Sequence, residues 1–322
     1  MSERQVRLGI IGTGHIARGA HLPAFLGMED VSVAAVLGSS REKSEAAAHT
    51  FGIHFAAGNL QELLRQDLDA VALLTPKTVR REYLEPLMEA KLDILVEKPL
   101  AMTLRECEAI ADMAARSGQI VMVGFNRRFA PIYRQGIDSF GDVRPHLMLC
   151  SKSREFKEYR ATLENAIHML DLMRSVFGEC RALDAQALWG DDPMHEDLCT
   201  AQLRFDGGIG VLCASRQAGQ WYERVELLGG SRTVVMEPPG RLTVTLPDRE
   251  EVYNAVTLQK GWLSYVEGLG YAGCDRHFID CVKNRTTPVC SAEDALKTHI
   301  LMDQVLKAAG LPDLTEEWES GR

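Results

Sequence analysis

The sequence predicts an α/β protein: a domain built on a parallel sheet, followed by an α+β domain with an open, mostly antiparallel sheet. Three observations carry this prediction. Short apolar runs alternate with amphipathic segments over the first 125 residues, the pattern changes after Phe125, and a glycine-rich turn directly follows the first apolar run. Such alternation is typical of parallel strands joined by right-handed helical crossovers. We therefore expect a first domain over residues 1–124 and a second over residues 125–322.

The elements of the first domain are predicted from continuous and from periodic apolar patterns. Apolar runs without polar alternation indicate strands that are buried on both faces. These runs lie at residues 6–11, 31–37, 70–74, 94–96 and 120–123. Amphipathic spacing predicts helices over residues 79–90 and 104–117.

The second domain is predicted to be a series of strands with helices on one face. Residues 163–177 have a helical pattern, and two alternating segments flank Asp206, Gly207 and Gly208, a hairpin signal. The predicted strands lie at residues 201–205, 209–214, 225–228, 233–236 and 242–246. Helices are expected again at residues 276–283 and 292–309. This order indicates an α+β domain.

Composition and charge exclude several classes of function. The chain has 322 residues and a net charge of −9, so it lacks the basic character of a protein that binds nucleic acid or an anionic membrane. No apolar stretch approaches the ~20 residues of a membrane span, and we find no secretory leader, so a cytoplasmic protein is expected. Eight cysteines occur without a C-x-x-C pair or zinc spacing, which predicts reduced thiols and no metal site.

The first apolar run leads into a turn that is typical of dinucleotide binding. Gly12, Gly14 and Ala17 form the pattern G-x-G-x-x-A between a strand and a helix. The first glycine permits a tight turn, the second lets the backbone approach a pyrophosphate, and the alanine permits close helix packing. Free N–H groups at the helix N-terminus attract phosphate. The turn predicts a Rossmann domain that binds NAD or NADP through Gly12, Thr13, Gly14, His15 and Ile16.

Further cofactor residues are expected at the carboxyl ends of the next strands, where open α/β sheets bind ligands. The second strand is followed by Ser39, Ser40 and Arg41, without the carboxylate that usually contacts the ribose of NAD. These side chains could bind a 2′-phosphate, which favours NADP over NAD. Alternatively, Ser40 caps a helix and Arg41 is solvated. The third and fourth strands end at Thr75, Pro76, Lys77, Glu97 and Lys98.

The order of these motifs resembles the Gfo/Idh/MocA oxidoreductase family, named for glucose–fructose oxidoreductase and inositol dehydrogenase. The motifs that carry the resemblance are G-x-G-x-x-A, Thr75-Pro76, the E-K-P sequence Glu97-Lys98-Pro99, residues 124–131 with Asn126, His168-x-x-Asp171, and residues 288–296. The resemblance implies a nicotinamide-dependent redox reaction on a sugar or polyol. It also implies an open sheet in the second domain that mediates a homodimer or homotetramer. We include Asn126 among the candidate cofactor-binding residues.

The same resemblance implies the catalytic residues. Lys98 corresponds to the family lysine that contacts the reacting oxygen and the cofactor, and His168 to the histidine that accepts the proton. A histidine suits this role because its pKa lies near neutrality, and an ammonium group stabilises a developing alkoxide. Glu164 stands four residues before His168, where the family usually has an aspartate, and is expected to orient the imidazole. Asp171 is expected to be a supporting or surface acid.

Departures from the family pattern leave alternatives open. Ala166 replaces a usual glycine, and Arg80 and Arg81 stand where the family often has a histidine. We expect an NAD(P)-dependent oxidoreductase acting on a sugar, a polyol or a related cyclic compound. The alternatives are a cofactor-binding sensor without redox turnover and an NAD-dependent, redox-assisted glycoside hydrolase.

A second group of charged residues precedes the predicted helix of the second domain. Four basic side chains are interleaved with Glu155 and Glu158, so a solvated face is expected, with a site for a carboxylated or phosphorylated substrate as the alternative. The four are Lys152, Arg154, Lys157 and Arg160.

Overall fold

The computed structural model describes residues 4–155, 160–191, 195–254 and 265–311. The chain divides into two compact units, residues 1–126 with 271–296 and residues 127–270 with 297–322. The first division lies within two residues of the boundary expected at residue 124. We did not expect residues 271–296 to return to the first unit. No helix in the described part of the chain is long and apolar enough to cross a membrane.

The first unit contains a six-stranded, fully parallel sheet in the order β3-β2-β1-β4-β5-β6. Its strands are β1 Val6–Ile11, β2 Val31–Leu37, β3 Phe55–Ala57, β4 Ala70–Leu73, β5 Asp93–Val96 and β6 Val121–Val123. Every residue of β4, β5 and β6 is buried, as the unbroken apolar runs predict. The chain order reverses between β1 and β4, which creates the crevice where such sheets bind ligands.

Helices connect these parallel strands. A helix begins at His15, widens into a π-helical turn at Ala17–His21 and continues as α1, Leu22–Leu26. The other helices are α2 Arg41–Phe51, α3 Leu60–Leu64, α4 Arg81–Glu89 and α5 Leu104–Ser117. Two later helices begin in the returning segment, α9 Tyr271–Asn284 and α10 Ala292–Ala308. Within this segment the Cys290 carbonyl accepts a 2.8 Å hydrogen bond from the amide of Val123, which ties it to β6.

The second unit contains an eight-stranded sheet in the order β14-β13-β12-β11-β7-β10-β9-β8, antiparallel except for the β7–β10 pair. Its strands are β7 Leu147–Ser153, β8 Cys180–Leu188, β9 Leu198–Phe205, β10 Ile209–Ser215, β11 Tyr222–Gly229, β12 Arg232–Glu237, β13 Arg241–Leu246 and β14 Arg249–Asn254. Alternating burial along β7 and β11 shows that one face of the sheet is covered. The predicted fold class is therefore confirmed.

Three α-helices precede residue 271 in the described part of the second unit, and the first two pack against strands of this sheet. They are α6 Pro131–Asp138, α7 Ile167–Phe177 and α8 Tyr265–Gly268, with a π-helical turn at Ala161–Ala166 directly before α7. Nine of the eleven residues of α7 are buried, so the helix lies in the core and not at its edge. The sequence pattern predicted this helix but not its π-helical start, a feature that often occurs at functional sites.

Candidate functional site

Two glycines after β1 have opposite surroundings. Gly12 has a φ of +102°, and a Cβ there would lie 2.6 Å from the Leu74 carbonyl group, so the turn accepts no side chain. A Cβ at Gly14 would meet no protein atom within 4 Å. The first glycine is thus required by the fold, whereas the second leaves open space beside the start of a helix.

The polar groups around this space fit a dinucleotide. The helix that begins at His15 has free N–H groups in its first turn. At the end of β4, Thr75 Oγ1 is buried and forms no hydrogen bond within the described part of the chain. A buried hydroxyl of this kind normally has a partner, so a cofactor group would satisfy it. Thr13, Ile16 and Lys77 are half-buried. Pro76 is exposed and directly precedes a short 3₁₀ turn.

Gly14→Val is expected to weaken cofactor binding by at least about tenfold while leaving stability nearly unchanged. The valine side chain would occupy the open space where a pyrophosphate meets the backbone. Calorimetric titration with NADH and NADPH, together with a thermal unfolding curve, measures both effects. Gly19→Val is the matched control, because Gly19 lies in the helix that follows Gly14 and has equally open surroundings. Unchanged affinity in Gly14→Val would contradict this position for the pyrophosphate.

The residues after β2 are held by their own hydrogen bonds. Ser40 is the N-cap of α2 and accepts from the Lys43 amide at 3.3 Å, which agrees with the capping alternative. Ser39 Oγ lies 3.0 Å from Lys43 Nζ. The half-exposed Arg41 guanidinium donates to both carboxylate oxygens of Glu62 at 2.8 Å. Arg41 is therefore paired and not merely solvated, and Lys43 adds a cation that sequence reasoning did not select.

The segment Glu97-Lys98-Pro99 follows β5, and Arg80 holds its backbone. The buried Arg80 guanidinium donates to the carbonyl oxygens of Glu97 and Pro99, and its Nε donates to the Thr75 carbonyl at 3.2 Å. Burial lowers the pKa of Arg80 to about 10, so it stays cationic at neutral pH. Lys98 is half-buried between these contacts. Arg80 is one of the two arginines in the region where the resembled family often has a histidine, and it fixes the backbone that carries Lys98.

The Glu97 carboxylate contacts a histidine that sequence reasoning missed. His21, at the end of the first π-helical turn, has Nε2 3.0 Å from Glu97 Oε1 and Nδ1 2.9 Å from Asp275 Oδ1. Burial would raise the pKa of Glu97, but the hydrogen bond and charge of His21, with the charges of Lys98 and Arg80, lower it. The carboxylate is thus ionised next to Lys98. Asn126, the last residue of the first part of this unit, is also buried.

His168 lies in the first turn of α7 in the second unit, where its side chain is 5% exposed. Glu164 lies in the preceding π-helical turn, and its Oε2 accepts a 2.9 Å hydrogen bond from the Arg160 amide. This contact satisfies a backbone N–H at the start of the helical segment. The orientation of the His168 ring by Glu164 stays a prediction. Ala166, which replaces a usual glycine, is buried between them.

Asp171 lies one turn after His168 and is buried in an ion-pair network. Its carboxylate accepts from Arg128 at 2.7 and 2.6 Å and from Thr298 Oγ1 at 3.0 Å. Arg174 in turn donates to Thr298 Oγ1 at 2.7 Å. The network joins α7 to the segment before α6 and to α10, so Asp171 supports the helix that carries His168. These contacts agree with the expectation that Asp171 is a supporting acid, and they contradict the alternative that it lies on the surface.

The solvated face expected for Lys152, Arg154, Lys157 and Arg160 is wrong for two of these four basic residues, and the first of them lies within β7. Lys152 is fully buried and donates to Glu223, which also accepts from Arg127 at 2.8 and 2.9 Å and from Tyr133 at 2.7 Å. Burial lowers the pKa of Lys152 to about 7, with the nearby Arg127 charge adding to the effect. Arg160 is also buried. Lys157 and Glu158 lie outside the described residues.

Two further findings concern metals and thiols. Within residues 4–155, 160–191, 195–254 and 265–311, no group of three or more His, Cys, Asp or Glu side chains is placed to hold a metal ion. The eight cysteines, all in described segments, are free thiols. Burial raises the pKa of Cys107 and Cys150, so these two are poor nucleophiles.

Comparison with known proteins gives a family match for the first unit and relatives for the whole chain. A model described as an oxidoreductase family with an NAD-binding Rossmann fold matches residues 6–125. A Salmonella typhimurium protein named only as oxidoreductase YceM is 29% identical over 95% of this chain and 97% of its own. The D-apiose dehydrogenase of Paraburkholderia graminis is 26% identical over 93% and 86%, and the myo-inositol 2-dehydrogenase of Thermotoga maritima is 24% identical over 90% and 92%.

A solved structure agrees with the fold. The dehydrogenase MviM from Clostridium difficile superimposes with a TM-score of 0.85 at 20% sequence identity. The match covers 95% of this chain and all of that one. The likeness extends over both units.

Proposed function

Because the chain belongs to the Gfo/Idh/MocA oxidoreductase family, we propose that it transfers a hydride between a nicotinamide cofactor and a hydroxyl or keto carbon of a sugar, polyol or related cyclic compound. The observation that carries the proposal is the backbone and side-chain support of Lys98 at the carboxyl edge of the sheet, beside the glycine turn. The substrate class follows the relatives whose printed names specify one, a D-apiose and a myo-inositol dehydrogenase.

We assign complementary roles to Lys98 and His168. The bound nicotinamide would supply a carbon that accepts or gives the hydride. Lys98 places an ammonium group against the reacting oxygen and stabilises the alkoxide charge that develops there. His168 accepts the hydroxyl proton during oxidation and returns it during reduction. Glu164 orients the imidazole of His168, and Asp171 holds the helix in place.

Turnover tests this proposal directly. Purified protein is incubated with NAD or NADP and a panel of aldoses, deoxysugars, nucleotide sugars and inositols, and nicotinamide absorbance is recorded. Turnover of one panel member supports a dehydrogenase. Cofactor binding without turnover on any member favours the sensor alternative. The hydrolase alternative is favoured if the cofactor stays bound through purification and if a glycoside is cleaved without a net change in the oxidation state of the cofactor.

We propose a preference for NADP over NAD. Three side chains at the end of β2 support it: Ser39, Arg41 and Lys43 offer a hydroxyl and two cations within one turn. Because Glu62 offsets part of the Arg41 charge, Lys43 is needed to supply further positive charge to a 2′-phosphate. The pairing also holds the guanidinium in a defined place, which reduces the entropy lost when a phosphate binds.

The double variant Arg41→Ala/Lys43→Ala is expected to weaken NADPH binding by about tenfold and to leave NADH binding nearly unchanged, because a 2′-phosphate loses charge-assisted hydrogen bonds. Fluorescence titration of both cofactors measures the ratio. Arg105→Ala is the control, since Arg105 is exposed in the first turn of α5. Equal loss for the two cofactors would overturn the preference.

We also propose a cytoplasmic homodimer or homotetramer that assembles through the open sheet. The uncovered face presents a row of half-exposed side chains across four neighbouring strands, and three of the four are apolar: Val211, Leu149, Glu226 and Val235. Such a row is typical of an interface. Sedimentation of the purified chain gives its mass in solution, and a monomer would contradict this assembly.

A further inference from the structure

Buried His21 lies between two carboxylates that come from distant parts of the sequence. Its Nδ1 contacts Asp275 at 2.9 and 3.0 Å, and its Nε2 contacts Glu97 at 3.0 Å. His21 is 1% exposed, Asp275 fully buried and Glu97 9% exposed. The ring also packs edge-on against Tyr271, with 5.3 Å between centroids. All of these residues belong to the first unit.

With Glu97 and Asp275 both ionised, the geometry requires a protonated ring. Burial raises the pKa of Asp275, and the charge and hydrogen bond of His21 act against that rise. A neutral imidazole has one N–H, whereas ionised carboxylates only accept hydrogen bonds, so two carboxylate contacts need both nitrogens to donate. Burial lowers the pKa of His21, but the charges and hydrogen bonds of Asp275 and Glu97 outweigh it and raise the pKa to about 10. The rings of Tyr271 and Phe25 pack against the imidazole without adding charge. A cation thus sits between two anions.

Glu97 connects this cation to the lysine of the proposed reaction. Glu97 directly precedes Lys98, and the charge of Lys98 is among the causes that lower the pKa of Glu97. Arg80 holds the carbonyl oxygens of Glu97 and Pro99. The backbone of this segment is thus held by one cation and its carboxylate by another. Neither of these two contacts involves the Lys98 side chain.

We propose that His21, fixed by Asp275, is a positioning residue that holds Glu97 and thereby sets the place of the Lys98 ammonium group. The proposal rests on the proposed function of Lys98. It also gives a reason for the return of residues 271–296 to the first unit, because α9 brings Asp275 to His21. Positioning matters to this chemistry since a displacement of about 1 Å at a reacting group costs about 100-fold in rate.

His21→Gln tests this role with two measurements. We expect kcat on the panel substrate to fall by about 10- to 100-fold while cofactor affinity stays unchanged. We also expect amine labelling of Lys98, quantified by mass spectrometry relative to exposed Lys91, to change several-fold in the protein without substrate. His49→Gln is the matched control, because His49 is exposed on α2. Wild-type labelling of Lys98 in folded His21→Gln would overturn the proposal.

A double-mutant cycle separates positioning from a general loss of structure. If His21 acts through Glu97, adding His21→Gln to Glu97→Gln causes little further loss of kcat. Additive losses would overturn the proposal. Should His21→Gln not fold, Asp275→Asn keeps a hydrogen-bonding side chain at Nδ1 and is expected to alter Lys98 labelling in the same direction. Labelling of Lys98 needs no substrate, so it tests the positioning role independently of the proposed reaction. Failure of the proposed reaction would show instead as full turnover in the Lys98→Met variant.

Discussion

Lys98→Met is expected to lower turnover by at least about 1,000-fold while cofactor affinity stays nearly intact. Removal of one preorganised donor to a developing oxyanion costs about 10²–10³ in rate, and loss of a full positive charge extends that range. Methionine has a similar length and no charge, so packing around the half-buried side chain changes little. Initial rates on the panel substrate and calorimetric titration of the cofactor provide the two quantities.

The control for this variant is Lys91→Met, which makes the same substitution at an exposed position before β5. We expect wild-type kcat and wild-type cofactor affinity. If Lys98→Met retains wild-type turnover, the assignment of Lys98 is wrong. If it loses cofactor binding along with turnover, Lys98 serves the cofactor more than the reacting oxygen.

Glu223→Gln is expected to destabilise the second unit by about 3–5 kcal/mol. Glu223 is the shared acceptor of buried Arg127, Tyr133 and Lys152, and removal of one partner from a buried ion pair leaves an uncompensated charge. Lys152 can release its proton because its pKa is about 7, whereas Arg127 cannot. Urea unfolding followed by tryptophan fluorescence reports this selectively, since the first unit contains no tryptophan.

The same variant has an expected pH dependence. Burial raises the pKa of Glu223, but the charges and hydrogen bonds of Arg127 and Lys152 outweigh it and lower the pKa far below the ordinary 4.5. A group with a lowered pKa stabilises the fold fully above pH 4.5 and loses that contribution as the pH falls. The difference in stability between wild type and variant should therefore narrow below pH 4.5. Glu226→Gln, on the same strand but half-exposed beside Arg224, should cost under about 1 kcal/mol. Equal effects at both positions would contradict the buried network.

Strands with a continuous apolar run were predictable, including the edge strand β6, whereas the edge strands β3, β8 and β14 were not. The bounds of β1 and β2 agree with the prediction to the residue, because both strands are apolar except for Arg7 and Ser32, as expected of strands covered on both faces. Strand β3 escaped prediction since it has three residues at the edge of its sheet. Strands β8 and β14 are the two edges of the second sheet, and their largely exposed sequences lack an apolar pattern.

Some residues of the candidate site were likewise predictable from the sequence, and others were not. The roles of Gly12 and Gly14 were predictable because they depend on neighbouring elements in the sequence, a strand before and a helix after. His21 was not, since its partner Asp275 stands 254 residues later and neither residue belongs to a local motif. Lys152 was expected in solvent because a lysine beside glutamates has the same sequence pattern whether it is solvated or paired in a core.

The sequence by itself determined the fold class, the positions of the first sheet's main strands along the chain, the family resemblance and the candidate residues for cofactor and reaction. These depend on apolar periodicity, glycine conformation and motif order, which act over a few residues. Only the tertiary structure decided which charges are buried and which partners they have: Asp275 on His21, Glu223 on Lys152 and Arg128 on Asp171. A buried charge is stable only next to its counter-charge, and packing of distant segments supplies that neighbour.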